Sequence, residues 1–598
     1  MLILGISCDY HDAAAALIRD GDLVAAAEEE RFSRRKHDAD FPHQAIQFCL
    51  DTAHAQSGDL DYVVFYEKPF RKFERILATT LQAFPRSCTS FRQAMTSWLP
   101  DKLWIRATIQ EALSIPSDRI LFSEHHLSHA ASAFFCSPFE EAAILTIDGV
   151  GEWATATMGV GKANWSGRDG NEIVIQKELR FPHSVGMLYS VFTAFLGFEV
   201  NEGEYKVMGM APYGQPRYVE DVRRLVQQSR DGSIQLDMDY FSFHRSSQRS
   251  FSLKFEDLFG PPRDPNEPLV LNGVGEASGA DPALHRRSQR YADIAASIQQ
   301  VTEELVLTMA SSLYEETRVP RLCMAGGVAY NSVANGRILR ETPFEEVFIQ
   351  PAAGDSGGAL GAALFAYHVL LQQPRKFVME HTYWGKECAT GDIETAIQRH
   401  NLTAQRMADE QLLVQSVAQM LSRGNVIGWC QGRCEWGARA LGHRSILADP
   451  RRPEMKAIVN QKIKFREPFR PFAPSILDRH VRQFVEHPEE KNLLPLRFML
   501  TVSPVRQECR DTIPAVTHVD GTARPQLVES AHNPLYHGLI EAFAAETGVP
   551  VLLNTSFNLK GEPIVNSPDD AISTFLRSEM DALVAGPYLV TKRHRGFA

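Results

Sequence analysis

The chain has 598 residues, 44% hydrophobic and 23% charged, with a net charge of −11. That length allows three or four structural units at roughly 150 residues each, and the composition is that of an ordinary globular protein. The acidic balance argues against a nucleic-acid binder held by many phosphate contacts, no uncharged apolar run is long enough to span a membrane, and nine dispersed cysteines fit reduced thiols in a cytoplasmic protein.

The N-terminus, Met1-Leu2-Ile3-Leu4-Gly5-Ile6-Ser7, begins directly as a strand, so no signal peptide is expected. Asp9-Tyr10-His11-Asp12 is a turn, Ala13–Arg19 a second strand, Asp20-Gly21 a hairpin turn and Leu23–Glu28 a third strand. The pattern returns at Ala143–Ile147, with Asp148-Gly149-Val150-Gly151 as the turn and Trp153–Gly159 as the next strand. Strand, acidic turn, strand, occurring twice, predicts a duplicated α/β domain with a cleft between its halves. Residues 228–290, rich in Ser, Arg, Asp and Pro, read as a surface insertion with little regular structure. Ile294, Ile298, Val301, Leu305, Met309 and Leu313 recur at helical steps and predict a helix over 291–317. Arg321–Met324 is a short strand entering the turn at Gly326-Gly327, and Asp355-Ser356 caps a helix rich in small residues. The pattern breaks between about 368 and 388. A second α/β domain follows, with a helix at 408–423, a strand at 425–430, a basic glycine-rich stretch and the strand Val549–Leu553.

Several clusters carry chemistry. His125 and His129 lie four residues apart, on one face of a helix. Asp148 and Asp355 each stand beside glycine at a strand end or a helix start. Two imidazoles and two carboxylates suit a borderline transition ion acting as a Lewis acid, although a bare pair of helix histidines also fills ordinary polar niches. His11 and Asp12, on the first turn, read as polar groups at the cleft floor, with His11 a base or a contact to the reacting group, or as a solvated turn. The run Glu28–His37 has the composition of a solvated face, with Lys36 or His37 as a contact at the cleft rim. In the second domain Arg433, Arg439, Arg444, Lys464, Arg466 and Arg470 crowd together among glycines and aromatics, which suits a triphosphate. Arg524 and Asn554 add polar groups at the ends of apolar segments.

These motifs resemble the ATP-dependent O-carbamoyltransferases of natural-product and nodulation-factor biosynthesis. The carriers are His125-His126-Leu127-Ser128-His129-Ala130, Gly203–Gly209, Ala325-Gly326-Gly327-Val328, Gly437–Gly442, Phe469-Arg470-Pro471-Phe472-Ala473-Pro474 and Asn554-Thr555-Ser556-Phe557-Asn558. The resemblance spans nearly the whole chain. It implies an actin-like (sugar kinase, hexokinase) N-terminal domain over 1–375, a linker over 376–390 and a YrdC-like domain over 391–598. It implies that carbamoyl phosphate and ATP, with Mg2+, form carbamoyl adenylate in the second domain, and that the first passes the carbamoyl group to a small-molecule alcohol. By position, His125, His129, Asp148 and Asp355 would hold Fe2+ or another divalent transition metal. His11 and Asp12 would be catalytic beside the acceptor hydroxyl. Glu204, Lys206, Gly326 and Gly327 would hold the adenylate. Lys36, Arg439, Lys464, Arg470, Arg524 and Asn554 would bind ATP and carbamoyl phosphate. His443 stands where many members carry Asn, and Ala438 where many carry Pro.

The rivals are a tRNA threonylcarbamoyl transferase-like enzyme and an actin-like small-molecule kinase. The acidic charge and the fused second domain count against the first; the histidine pair and the whole second domain are left idle by the other. No nucleic-acid or membrane partner is expected, and a homodimer is the working expectation. The acceptor pocket is expected to be lined by residues 80–115 and the 228–290 insertion, with polar, nitrogen-rich alcohols as the acceptor class.

Overall fold

The structure, a computed structural model, describes residues 1–100, 102–165, 170–271 and 281–592. The chain is a mixed α/β protein that divides into two compact units. The first comprises residues 1–25 and 39–378, the second residues 26–38 and 379–598.

In the first unit, β1 (Leu2–Ser7), β2 (Ala14–Arg19), β3 (Asp22–Glu28), β4 (Tyr62–Phe65) and β5 (Ile120–Phe122) form one sheet in the order β3-β2-β1-β4-β5. A second sheet contains β6 (Glu141–Ile147), β7 (Ala154–Lys162) and β8 (Glu172–Arg180). After a small separate hairpin of β9 (Val226–Gln228) and β10 (Ile234–Leu236), the sheet is completed by β11 (Arg321–Ala325) and β12 (Glu346–Ile349). Its order, β8-β7-β6-β11-β12, repeats the first strand for strand. In each, the leading strand pairs antiparallel with the next and parallel with the later one. The expected duplication is thus present in the pairing itself.

Two helices cross over between the halves. The helix His125–Phe134 leaves the first sheet and packs on β6 and β11; the helix Asp355–Phe365 leaves the second and packs on β1, β2 and β4. They also pack on each other. Every residue of Asp355–Phe365 is buried. Its small side chains allow the approach: a Cβ on Gly361 would sit 1.8 Å from the Ser128 carbonyl oxygen.

The long helix spans Pro282–Thr317, starting nine residues ahead of the expected start at 291. Asp281 caps it by accepting from the Ala283 N–H at 2.9 Å, and Pro282 supplies a favourable first turn. The 228–290 segment carries more regular structure than its composition suggests. It contributes to the β9–β10 hairpin and contains a helix at Leu253–Phe259, while residues 272–280 lie outside the described set. Phe241, Phe251, Phe255 and Phe259 bury it against Phe192 and Phe195, with ring centroids 4.6–6.4 Å apart. A few aromatics among many polar residues were enough to build a core.

The second unit is a three-layer α/β domain. Its strands are β13 (Thr403–Arg406), β14 (Ile427–Cys430), β15 (Arg444–Ala448), β16 (Ala473–Leu477), β17 (Ser503–Pro504), β18 (Thr522–Ala523), β19 (Gln526–Val528), β20 (Val551–Ser556), β21 (Ala582–Ala585) and β22 (Tyr588–Thr591). Eight of them form one sheet, β13-β22-β21-β14-β15-β20-β16-β19, and β17 and β18 pair apart from it. The helices Glu410–Ser422 and Pro534–Thr547 cover one face around Trp429; Thr390–Arg399 and Pro568–Arg577 cover the other around Ile446. The segment 26–38 is part of this unit, and its charge run is not solvated: Glu28, Glu29, Glu30 and Arg31 are all buried. Arg31 pairs with Glu28 and donates to the Gly437 carbonyl, Glu28 accepts from the Gly437 N–H, and Arg34 donates to the carbonyls of Pro563 and Ile564. Internal partners replace water, which corrects the solvated-face reading.

Candidate functional site

The crossing helices of the first unit bring four chemistry-bearing residues to one point. His125 is the first residue of its helix, its N–H donating to both carboxylate oxygens of Glu152, and His129 follows one turn later. Asp148 lies just past the end of β6, and Asp355 opens the other helix. The ligating atoms of all four lie within 4.8 Å of one another. His125 Nε2 is 2.9 Å from Asp148 Oδ2 and 3.7 Å from Asp355 Oδ1; His129 Nε2 is 3.4 and 3.6 Å from the same atoms. The two Nε2 atoms face each other at 3.1 Å, while both Nδ1 atoms are buried without a hydrogen bond.

Burial disfavours charge here, but the ion pairs outweigh it. Asp148 is held well below the carboxylate range by His125 and His129, and Asp355 is lowered by His11, His125 and His129. Asp355, Asp148 and Glu67 raise His125 well above its usual value. His126, between them in sequence, turns away to Thr146 Oγ1 and the Ala154 carbonyl; burial and the two neighbouring imidazoles push it down to about 3. A buried N2O2 set, balanced only by protons on its imidazoles, is a fit place for a divalent transition ion to displace those protons.

His11 and Asp12 join this group. His11 Nδ1 bonds Asp12 Oδ2 at 2.9 Å, and its Nε2 lies 4.0 Å from Asp355 Oδ2. Against the pull of burial, Asp355 and Asp12 raise His11 to about 9. The Gly327 N–H donates to Asp148 Oδ1 at 3.0 Å. Gly326 precedes it at φ +95°, where a Cβ would stand 2.3 Å from the Ile147 carbonyl oxygen, so only glycine fits. Glu204 and Lys206 are differently engaged. Glu204 accepts from Ser190 Oγ and the Asn201 N–H at the start of its own helix, and Lys206 sits over the Phe198 ring.

The second unit gathers the other predicted residues around β20. Lys464 Nζ donates to the Ser556 carbonyl at 2.7 Å and to Asn558 Oδ1 at 2.6 Å. Burial, then Arg466, Arg470 and Lys36, push it well below the usual lysine value. Arg524 is lowered in the same way by burial, Arg439 and Arg470. Asn554 Nδ2 donates to Gln526 Oε1 and Ser475 Oγ, and so belongs to the wall of the sheet. His443 stacks on Tyr383 at 3.7 Å, and its Nδ1 donates to the Arg433 carbonyl.

Several participants escaped the sequence reading. Glu67, just past β4, is bonded to Lys72 at 2.7 Å and lies 3.7 Å from His125 Nδ1. Tyr66 directs its hydroxyl at Asp355 Oδ2, 3.4 Å away. Glu435 accepts from three backbone N–H groups leading into β15, those of Leu441, His443 and Arg444. Tyr66 and Glu67 lie just past β4, the counterpart of β11, where the duplicate sheet carries Gly326 and Gly327, so no acidic residue at the matching position marked them.

Comparison with known proteins is consistent with this layout. The family described as Carbamoyltransferase N-terminus matches residues 2–364, and Carbamoyltransferase C-terminus matches residues 418–592. An uncharacterized protein of Synechocystis sp. is 46% identical, over 99% of this chain and 96% of its own. The nodulation protein NolNO of Sinorhizobium fredii is 38% identical, over 98% of this chain and 79% of its own. The 3'-hydroxymethylcephem-O-carbamoyltransferase of Amycolatopsis lactamdurans is 35% identical, over 46% of this chain and 49% of its own.

Proposed function

The chain belongs to the carbamoyltransferase family, and on that premise we propose a two-step O-carbamoylation divided between its units. In the second, YrdC-like unit, carbamoyl phosphate is hydrolysed to carbamate and phosphate. A carbamate oxygen then bonds to the α-phosphorus of magnesium-bound ATP as the bond to pyrophosphate breaks. In the first unit the carbamoyl carbon of that adenylate bonds to an alcohol oxygen of a small-molecule acceptor, releasing AMP.

The observation that carries this reading is the buried cluster of cationic side chains in the second unit. Lys464 and Arg524 are depressed by one another's neighbours as well as by burial, which is what a site shaped for a polyanion does before its ligand arrives. Arg439, Arg470 and Lys36 share that field. Positive donors of this kind stabilise the charge that grows on the α-phosphorus in displacement, and burial keeps the mixed anhydride from water.

In the first unit, a divalent transition ion held by His125, His129, Asp148 and Asp355 would supply a Lewis acid for a carbonyl or phosphoryl oxygen. Gly327 fixes Asp148 by its N–H, and Gly326 lets the backbone come close. Glu204 and Lys206 belong to the adenylate side of this reading. His11, beside Asp12, takes the proton of the attacking hydroxyl. It is held up near 9 by Asp355 and Asp12, so it becomes a free base only once the charge of Asp355 is shared with a cation.

Incubation with ATP and carbamoyl phosphate is expected to release pyrophosphate. ADP formation without pyrophosphate would replace this reading with a kinase. Lys464→Ala is expected to abolish pyrophosphate release, at least 100-fold, whereas His129→Ala keeps it and loses transfer. Equal loss of adenylate formation in both variants would overturn the division of steps.

A further inference from the structure

The helix Pro69–Gln82 buries three positions on one face, Pro69, Lys72 and Arg75. Lys72 is neutralised by Glu67. Arg75 is not neutralised. It is 8% exposed, and among the described residues its guanidinium makes no hydrogen bond and no ion pair; its Nε is fully buried without a partner. Arg31, Arg263, Arg375 and Arg444, the other buried arginines described, all donate to carbonyl or carboxylate oxygens. Arg75 instead lies over the face of Phe181, 5.0 Å from the ring centroid.

The nearby acids do not answer it. Glu67 is closed by Lys72, and Glu152 by the N–H groups of Lys68 and His125. Tyr10, the third group in its field, is a phenol, uncharged near neutral pH. Burial pushes the Arg75 guanidinium down to about 10, the mark of a cation lacking its counter-charge. Tyr10 also places Arg75 relative to the chemistry: its ring is 4.6 Å from that of His11, and 45% of its surface is open. On the far side, Phe181 meets Phe243 of the 228–290 segment, and Ser90 of the helical region bonds the Arg245 carbonyl. Arg75 thus lies one ring away from the 228–290 segment, which itself touches the 80–115 region at Ser90.

We propose that Arg75 is an oxyanion-binding residue of the first unit, and that it pairs with a carboxylate, phosphate or sulfate group on the acceptor alcohol. The same chemistry is offered by the phosphate of the donor adenylate. The position favours the acceptor: Arg75 approaches from the Tyr10–Phe181 side, while Gly326 and Gly327 adjoin Asp148 at the end of β11. A guanidinium forks two donors onto such a group, and it would make the acceptor class anionic rather than nitrogen-rich. The anion contact stands by itself; the identity of the acceptor rests on the transfer reading above.

The first test needs no turnover. Crystals of the full chain soaked in selenate are expected to show an anomalous peak within hydrogen-bond distance of the Arg75 guanidinium, absent in Arg75→Gln. No peak there in the parent protein would overturn the proposal. The melting temperature of Arg75→Gln is expected to be unchanged or raised, because a structural arginine would destabilise on removal and an unpaired one does not. A marked fall would overturn it. The second test uses alcohols matched but for an acidic group: glycerol against glycerol 3-phosphate, and glucose against glucuronate, followed by mass gain of one carbamoyl unit. The acidic members are expected to be favoured at least tenfold in kcat/KM, with the preference lost in Arg75→Gln and partly restored in Arg75→Lys. An Arg75→Gln defect equal for charged and neutral alcohols, with a raised KM for preformed carbamoyl adenylate, would assign the anion to the donor and overturn the acceptor assignment. Selenate binding with no carbamoylation of any alcohol would count against the transfer reading, leaving the anion contact intact.

Discussion

His368 is fully buried, stacked on Phe135 at 4.5 Å, with Nδ1 donating to the Gln373 carbonyl and Nε2 without a partner. Burial pushes its pKa down to about 4. The unfolded chain binds a proton at this residue below about 6.5, and the folded chain does not until about 4. Stability is therefore lost as pH falls through that window, by about 1.4 kcal/mol per pH unit for this one residue. Denaturant titrations between pH 7 and 4 are expected to show a shallower acid slope for His368→Phe; an unchanged slope would show that the folded imidazole titrates normally. The site residues follow a different logic. His125 and His129 were legible as a pair because four-residue spacing on a helix has one geometric meaning. Glu67 and Arg75 were not legible, because a lone acid or base in sequence carries no sign of burial.

At the scale of elements, the metal-competent group exists only because two helices touch. Asp355 rides on one and both histidines on the other. Gly361 holds them at contact, since any Cβ there would strike the Ser128 carbonyl, one residue before His129. Gly361→Ala is expected to cost about 1–3 kcal/mol and to weaken divalent-metal retention at least tenfold, measured by chelator competition. Full metal affinity in that variant would show that the helices can part without moving the ligands. The strand, turn, strand repeat was readable because alternating apolar residues and acidic turns mark it locally. The order of the eight-stranded sheet was not. Its strands are short, and neighbours such as β15 and β20, or β14 and β21, are joined across more than a hundred residues. Such pairings are set by tertiary packing rather than by any local pattern.

For the whole molecule, the segment 26–38 has the larger consequence. A charge run reads as solvent-facing, yet Glu28, Arg31 and Arg34 spend their hydrogen bonds on Gly437, Pro563 and Ile564. Residues 379–598 expressed alone therefore lack an internal piece of their own unit. That fragment is expected to release pyrophosphate at least tenfold more slowly than the full chain, and to regain rate when a synthetic peptide of residues 26–38 is added. Full activity without the peptide would show the segment to be dispensable. No helix described is long and apolar enough to cross a membrane.

The polypeptide enters the second unit, leaves it, and returns only at residue 379. On the ribosome, segment 26–38 emerges roughly 340 positions before the sheet that will receive it. Until then its buried acids and arginines have only water and chaperones for company. The later half cannot be finished in the order in which it is translated, and a nick anywhere between segment 26–38 and its sheet would leave that half dependent on a tether it no longer owns.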